Sequence, residues 1–311
     1  MPFPTLKSGR VDVPLTNVLL AYKNEDFIAE QILPALPVKK ESDLIGALGN
    51  SHLRTYSSKR SLYDEGEHRM EFSYTKDDSY QIEFYDLEVY LPDRLIENCE
   101  NPFDPRRDAG EVALQSLKLE RELALAAAMR NTAIMTNYVT LSGTDKFSDL
   151  VNSDPVAVIE TGRTSIYSKT GKEANSMVIG RGVFNTLKRH PAFLEQVKGI
   201  KVLSGEALIQ LMKDTFEVEN IYIGKGIQIT TVEGQTETFD KVWGNDIQLF
   251  YKPSRSTMYE PSFGYQFTLP KNLQADVRRH TNDLGDIVRV YQAYQDKILD
   301  TNCAYLIKDA I

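Results

Sequence analysis

Ser73-Tyr74-Thr75-Lys76 comes closest in this chain to a catalytic motif. A serine three residues before a lysine, with a Lys-Thr-Gly run elsewhere (here Lys169-Thr170-Gly171), is the spacing of S-x-x-K serine hydrolases. That chemistry needs the serine at a helix start, so that Oγ and the lysine one turn later face each other. Around Ser73 the residues alternate instead: Met70, Phe72 and Tyr74 are apolar, Glu71 and Ser73 polar. In a strand, positions three apart point to opposite faces. The S-x-N element of the motif set is missing, and no G-x-S-x-G elbow occurs. The hydrolase therefore stays an alternative without a supporting geometry.

Other chemistry is thinner still. His52, His68, His190 and His280 lack metal spacing, and Cys99 and Cys303 do not join them. No metal site and no cofactor is expected. The two cysteines read as buried free thiols in a reducing compartment. Gly180-Arg181-Gly182 and Gly224-Lys225-Gly226 each follow an apolar triplet, but neither completes a dinucleotide fingerprint. They read as turn glycines supplying positive φ. Asp77-Asp78 and Glu65/Glu67 fall in expected loops, as solvating charge.

The elements around these residues form an α+β chain. Its 311 residues are 41% hydrophobic and 26% charged, enough for a sizeable core. No run approaches the ~20 apolar residues of a membrane helix, and MPFPTLKSGRVDVP has no apolar signal region. The net charge of −8 disfavours a tight, sequence-independent grip on nucleic acid.

Five of the thirteen prolines lie in the first fifty residues, which predicts an extended arm with a short amphipathic piece at Asn17–Leu33. Residues 68 to 91 predict a long hairpin: apolar alternation to Tyr74, a turn at Thr75–Ser79, then Tyr80, Ile82 and Phe84. After Phe84 the phase slips by one to Tyr85, Leu87, Val89 and Leu91, the signature of a bulge or a change of packing partner. Such a hairpin is marginal alone and needs a surface to lie on. Asp104 and Pro105 cap a helix over 104–131, with Val112, Leu119, Leu123 and Ala126 on its expected core face and Leu114, Leu117, Leu125 and Ala128 beside them. A second helix is expected from Pro155 to Tyr167, capped by Asp154. Beyond Ala174 short strands alternate with helices, and the last fifty residues are β-rich.

The order of arm, hairpin, long helix, mixed domain and β-rich tail resembles the major capsid proteins of tailed phages, of the Hong Kong 97 type. Local phrases add to the resemblance: Phe27-Ile28-Ala29-Glu30, Leu33-Pro34, Met177-Val178-Ile179-Gly180, His190-Pro191, Val242-Trp243-Gly244-Asn245-Asp246 and Phe263-Gly264-Tyr265-Gln266-Phe267. The resemblance implies an N-arm at 1–50 and an E-loop hairpin at 51–90. It implies a P-domain at 91–172 built on the 104–131 spine helix, and an A-domain at 173–270. Return strands of the P-domain at 271–299 and a terminal A-domain strand at 300–311 complete it.

It further implies a self-assembling, non-enzymatic wall of pentamers and hexamers around double-stranded DNA, bound without sequence specificity, assembled in the host bacterial cytoplasm. A scaffolding protein, a portal and a decoration protein are possible partners, and a membrane is not. The chain begins almost at the arm, so scaffolding is expected to be separate or already cleaved away. Lys59 and Lys76 lie in the hairpin region without an identifiable acceptor asparagine, so no cross-linking is expected. Apolar residues of arm and hairpin are expected to be covered by neighbouring subunits: Phe27, Ile28, Leu33, Met70, Phe72, Tyr74, Tyr80, Ile82 and Phe84. The nearest rival is an encapsulin, a cargo-holding shell of the same fold, whose N-terminal helix the proline-rich arm does not match.

Overall fold

The computed structural model describes residues 11–21, 27–47, 75–99, 104–194, 205–232, 234–255, 261–280 and 284–311. The arm carries α1 (Val13–Ala21), α2 (Ala29–Ile32), β1 (Ala35–Pro37) and β2 (Ser42–Ala47). The amphipathic piece expected at 17–33 takes in the end of α1, which begins before it, and all of α2, with residues 22–26 outside the described set. Then come β3 (Thr75–Gln81), β4 (Glu83–Pro92), α3 (Asp93–Glu97) and the spine, α4 (Pro105–Arg130). β5 (Tyr138–Thr140), α5 (Pro155–Thr170), β6 (Ser176–Gly180), α6 (Arg181–Leu187), α7 (Pro191–Leu194) and α8 (Gly205–Phe216) follow. The chain closes with β7 (Asn220–Gly224), β8 (Ile227–Ile229), β9 (Phe239–Lys241), β10 (Ile247–Phe250), β11 (Gly264–His280), β12 (Gly285–Ile298) and β13 (Ala304–Lys308).

Two sheets organise the molecule. One has the order β1-β11-β12-β4, the other β5-β13-β10-β6-β7. The spine helix touches both. At 26 residues it is about 39 Å long. Asp104 caps it, accepting from Arg106 N at 3.1 Å, and Pro105 occupies the first turn, where its missing N–H costs nothing. Its N-terminal half buries Ala109, Ala113, Leu114 and Leu117 against Val288, Val290 and Ala275 of the first sheet and Leu15 and Leu19 of α1. Its C-terminal half buries Leu125, Ala126 and Met129 against Val178, Phe250 and Leu306 of the second. The expected core face is rotated: Val112 is 63% exposed, and Leu119 and Leu123 are only half-buried. With two sheets to cover, the buried stripe takes in Lys118, Arg121 and Glu122, charged residues that a hydrophobic pattern assigns to solvent.

The range 91–172 contributes to both bodies. α5, capped by Asp154, whose Oδ1 accepts from Val156 N and Ala157 N, packs Ile159 and Ile166 against the second sheet. The helix runs past its expected end at Tyr167: Lys169 and Thr170 form its last turn, and Gly171 ends it at φ 67°.

The hairpin is built differently from the expectation. Thr75–Ser79 is not a turn but most of strand β3, which pairs antiparallel with β2 of the arm, Ser42 opposite Gln81. Met70, Phe72 and Tyr74, with the rest of 48–74, lie outside the described residues. The slip in apolar phase is a change of partner. Up to Gln81 the chain pairs with β2; from Glu83 it pairs with β12, Glu83 opposite Tyr294.

Gln248 is an anomaly in the second sheet. It is 2% exposed, its ladder neighbours are Val178 and Leu306, and neither amide atom finds a partner among the described residues. A buried unsatisfied amide costs free energy. Gln248→Met is therefore expected to raise stability by about 1 kcal/mol, read as a higher denaturant midpoint at unchanged slope. A lowered midpoint would refute this reading.

Candidate functional site

For a chain without an evident active centre, the informative geometry is how its parts are tied together and which surfaces they leave open. The ties converge on the spine helix. Glu122 is fully buried. Its carboxylate accepts from the backbone N–H of Ile28 at 3.0 Å and of Ala29 at 2.7 Å, and from the Trp243 indole N–H. One side chain thus joins the arm, the spine and the segment leading into β10. Burial pushes its pKa up, against the pull of these donors and of Arg121.

Arg121 makes a two-pronged pair with Asp296 of β12, Nε to Oδ2 at 2.7 Å and Nη2 to Oδ1 at 3.0 Å, and lies over the Tyr294 ring. Burial raises the pKa of Asp296, with Arg121 opposing. Arg130, at the helix end, pairs with buried Asp246 at 2.6 Å and donates to Val242 O at 3.1 Å. The other oxygen of Asp246 accepts from Asp309 N at 3.0 Å, which fixes the C-terminus. Lys252 donates from Nζ to Gln31 O and holds the arm a second time. Periodicity could not reveal these ties, because each partner is distant in sequence.

The two G-x-G runs belong to the same joint. Gly180 and Gly224 are register partners at the ends of parallel strands β6 and β7. Gly180 has φ −63°, so positive φ is not its reason. A Cβ there would lie 2.3 Å from Gly244 O, and one on Gly224 would lie 2.2 Å from Trp243 Cδ1. The glycines make a seat for the Trp243–Gly244 turn, which brings the indole to Glu122.

The expected neighbour-covered residues divide. Ile28 and Leu33 are buried in this chain's own core with Met129 and Phe263. Tyr80 and Ile82 are buried with Val38, Ile45, Tyr265 and Phe267, and the Tyr80 ring stacks on Phe267 at 4.6 Å. These four are corrected from interface to core: the spine helix and Phe263 cover Ile28 and Leu33, and β2 together with β11 covers Tyr80 and Ile82. Phe27 is half-buried beside Gly226. Phe84 remains 50% exposed on edge strand β4, together with Tyr90 at 44%.

Ser153 and His190, 37 residues apart and in no recognisable motif, meet at 3.1 Å and are both buried. They are not arranged as nucleophile and base. Ala192 N donates to His190 Nδ1 at 3.3 Å, which puts the ring proton on Nε2, and Ser153 Oγ donates to Asp149 O at 2.6 Å. The pair caps α7 instead. Burial lowers the His190 pKa, so its contribution to stability is present above the ordinary histidine value and is lost as pH falls through the lowered one. The gap in melting temperature between wild type and His190→Asn is expected to narrow from pH 7 to pH 5. A constant gap would refute this assignment. Cys303 is buried, its thiol pushed up by burial and Asp300, but Cys99, expected to be buried, is exposed. Among the described residues no cluster of metal-ligating side chains occurs, and no helix is long and apolar enough to cross a membrane.

A chain of this kind, with its arm and two sheets tied to one long helix, falls in the class of viral shell proteins with the Hong Kong 97-like fold. A phage-related protein from Bordetella bronchiseptica RB50 superposes with a TM-score of 0.76 at 25% identity, covering 98% of this chain and 99% of that one. The major capsid protein of Burkholderia phage BcepMu is 33% identical over 96% of this chain and 95% of its own length. That of Pseudomonas phage JBD67 is 28% identical over 81% and 78%. Residues 130–300, more than half of the chain, match phage major capsid protein E. The chain belongs to that family and is a structural capsid shell protein of the tailed-phage type. The encapsulin from Synechococcus elongatus PCC 7942, at 10% identity and a TM-score of 0.51, shares the fold alone.

Proposed function

We propose that copies of this chain form pentamers and hexamers that close into an icosahedral head around double-stranded DNA, assembled in the host bacterial cytoplasm without catalysis by the chain. A separate scaffolding protein, a portal and a decoration protein are the partners this reading admits. The match to a major capsid protein over nearly the whole length carries it. The physical reading agrees. One helix gathers both sheets and the arm, while Phe84 and Tyr90 stay wet on β4, whose outer edge no strand among the described residues pairs. An open edge with aromatic side chains gains from a neighbour. Many modest contacts suffice when each copy has several neighbours. The net charge of −8 suits a wall along which DNA slides instead of sticking.

Negative-stain microscopy of the chain expressed alone and at increasing concentration tests the proposal. Thin-walled shells, rings or tubes are expected. A protein that stays strictly monomeric at every concentration, both alone and co-expressed with a phage scaffolding protein, would overturn it.

A further inference from the structure

The ribbon of β8 and β9 is amphipathic in an unusual place. Its register sets Ile229 opposite Phe239 and Ile227 opposite Lys241. Strand alternation puts these four on one face and Gln228 and Asp240 on the other. Thr230 and Thr238 extend the polar face, their hydroxyl oxygens 2.9 Å apart. Thr230 N also donates to Thr238 O at 3.0 Å, so the ribbon continues beyond its short strands.

Ile227, Ile229 and Phe239 are nevertheless 55%, 52% and 61% exposed. A two-stranded ribbon with three-residue strands has little stability of its own. Nothing in the described part of the chain covers its apolar face, while its polar face would be content in water.

The ribbon leaves the body at the joint. A Cβ on Gly226 would stand 3.6 Å from Phe27 Cδ1 and 3.7 Å from Glu122 Cγ. It is thus held at its root by the arm and the spine.

We propose that the Ile227/Ile229/Phe239 face of this ribbon is a contact for a second copy of this chain. The proposal rests on the shell reading, which surrounds each copy with others in the plane of the wall. The occupant follows from that crowding and from sidedness. A ribbon apolar on one face only covers one neighbour and leaves the other face to solvent. The contact is heterologous where the receiving surface is a different patch of the neighbour, the kind that closes rings.

The test compares the full chain with Ile229→Ser/Phe239→Ser and with the polar-face control Gln228→Ser. Assembly is followed by light scattering and sedimentation, and folding by the thermal melt of the unassembled chain. The apolar-face variant is expected to melt like wild type yet assemble at least tenfold more slowly, with the control assembling normally. A variant that assembles at the wild-type rate overturns the contact while leaving the shell reading intact. A wild type that never assembles, even with a phage scaffolding protein present, overturns the shell reading first. A lowered melt in the variant would mean that the ribbon covers its own body, and would also overturn the contact. Independently of those variants, an environment-sensitive dye on Ile229→Cys in a Cys99→Ser chain is expected to shift to the blue on assembly. An unshifted dye in formed shells overturns the proposal.

Discussion

Gly180→Ala is expected to abolish soluble expression of the full chain, whereas Gly182→Ala, two residues on, is expected to be tolerated. The difference lies in what each added methyl meets. At Gly180 it meets Gly244 O at 2.3 Å and Gly244 C at 3.2 Å, both backbone. The Gly244 backbone has little room to step aside, because the Arg130 guanidinium packs directly against it, occupying the place a Cβ would take. The Trp243–Gly244 turn would have to leave its seat, pulling the indole off Glu122 and Arg130 away from Asp246. At Gly182 the nearest atoms are side-chain ends, Ile311 Cδ1 at 3.2 Å and Lys241 Nζ at 3.3 Å, which can give way. Overpacking of the first kind costs more than the ~1–3 kcal/mol of an ordinary inserted methylene. The check is the soluble fraction and the denaturant midpoint of both variants. Equal behaviour of the two would refute the seat.

Glu122→Ala is expected to lower stability by roughly 3 kcal/mol. It strips the acceptor from Ile28 N, Ala29 N and the Trp243 indole at once, and all three stay buried. A buried donor left unpaired costs ~1–3 kcal/mol, and relief of the carboxylate's own desolvation offsets part of the sum. Glu122→Gln keeps one acceptor oxygen but turns an N–H₂ toward donors, so an intermediate loss is expected. The loss should concentrate on the arm, with faster amide exchange at Ile28 and Ala29 than in the spine helix. The arm assignment fails if Glu122→Ala unfolds within about 0.5 kcal/mol of wild type, the range of a neutral surface change. It also fails if exchange rises evenly across the chain.

These two positions show where sequence reasoning stopped. The G-x-G runs were visible, and their nucleotide reading could be set aside. Their purpose was not visible, because it depends on two parallel strands ending side by side under a turn twenty residues further on. Glu122 looked like one more charge on a helix rich in charges. Only its position between the arm and Trp243 makes it a buried acceptor.

Sequence alone determined the elements whose signals are local. Asp104-Pro105 and Asp154-Pro155 announced α4 and α5, because a cap and a first-turn proline act within four residues. Apolar runs announced β6, β7 and β10, since strands covered on both sides need no alternation. The order of these elements and the phrases between them also carried the family resemblance.

The tertiary structure decided what each element touches. It turned Thr75–Ser79 from turn to strand by giving it β2 as a partner. It rotated the core face of the spine by setting two sheets against it, and it moved Ile28, Leu33, Tyr80 and Ile82 inside. Pairing and cover are relations between segments far apart in the chain. A residue's own neighbours set its propensity, but which distant surface meets it decides whether it becomes core, tie or contact.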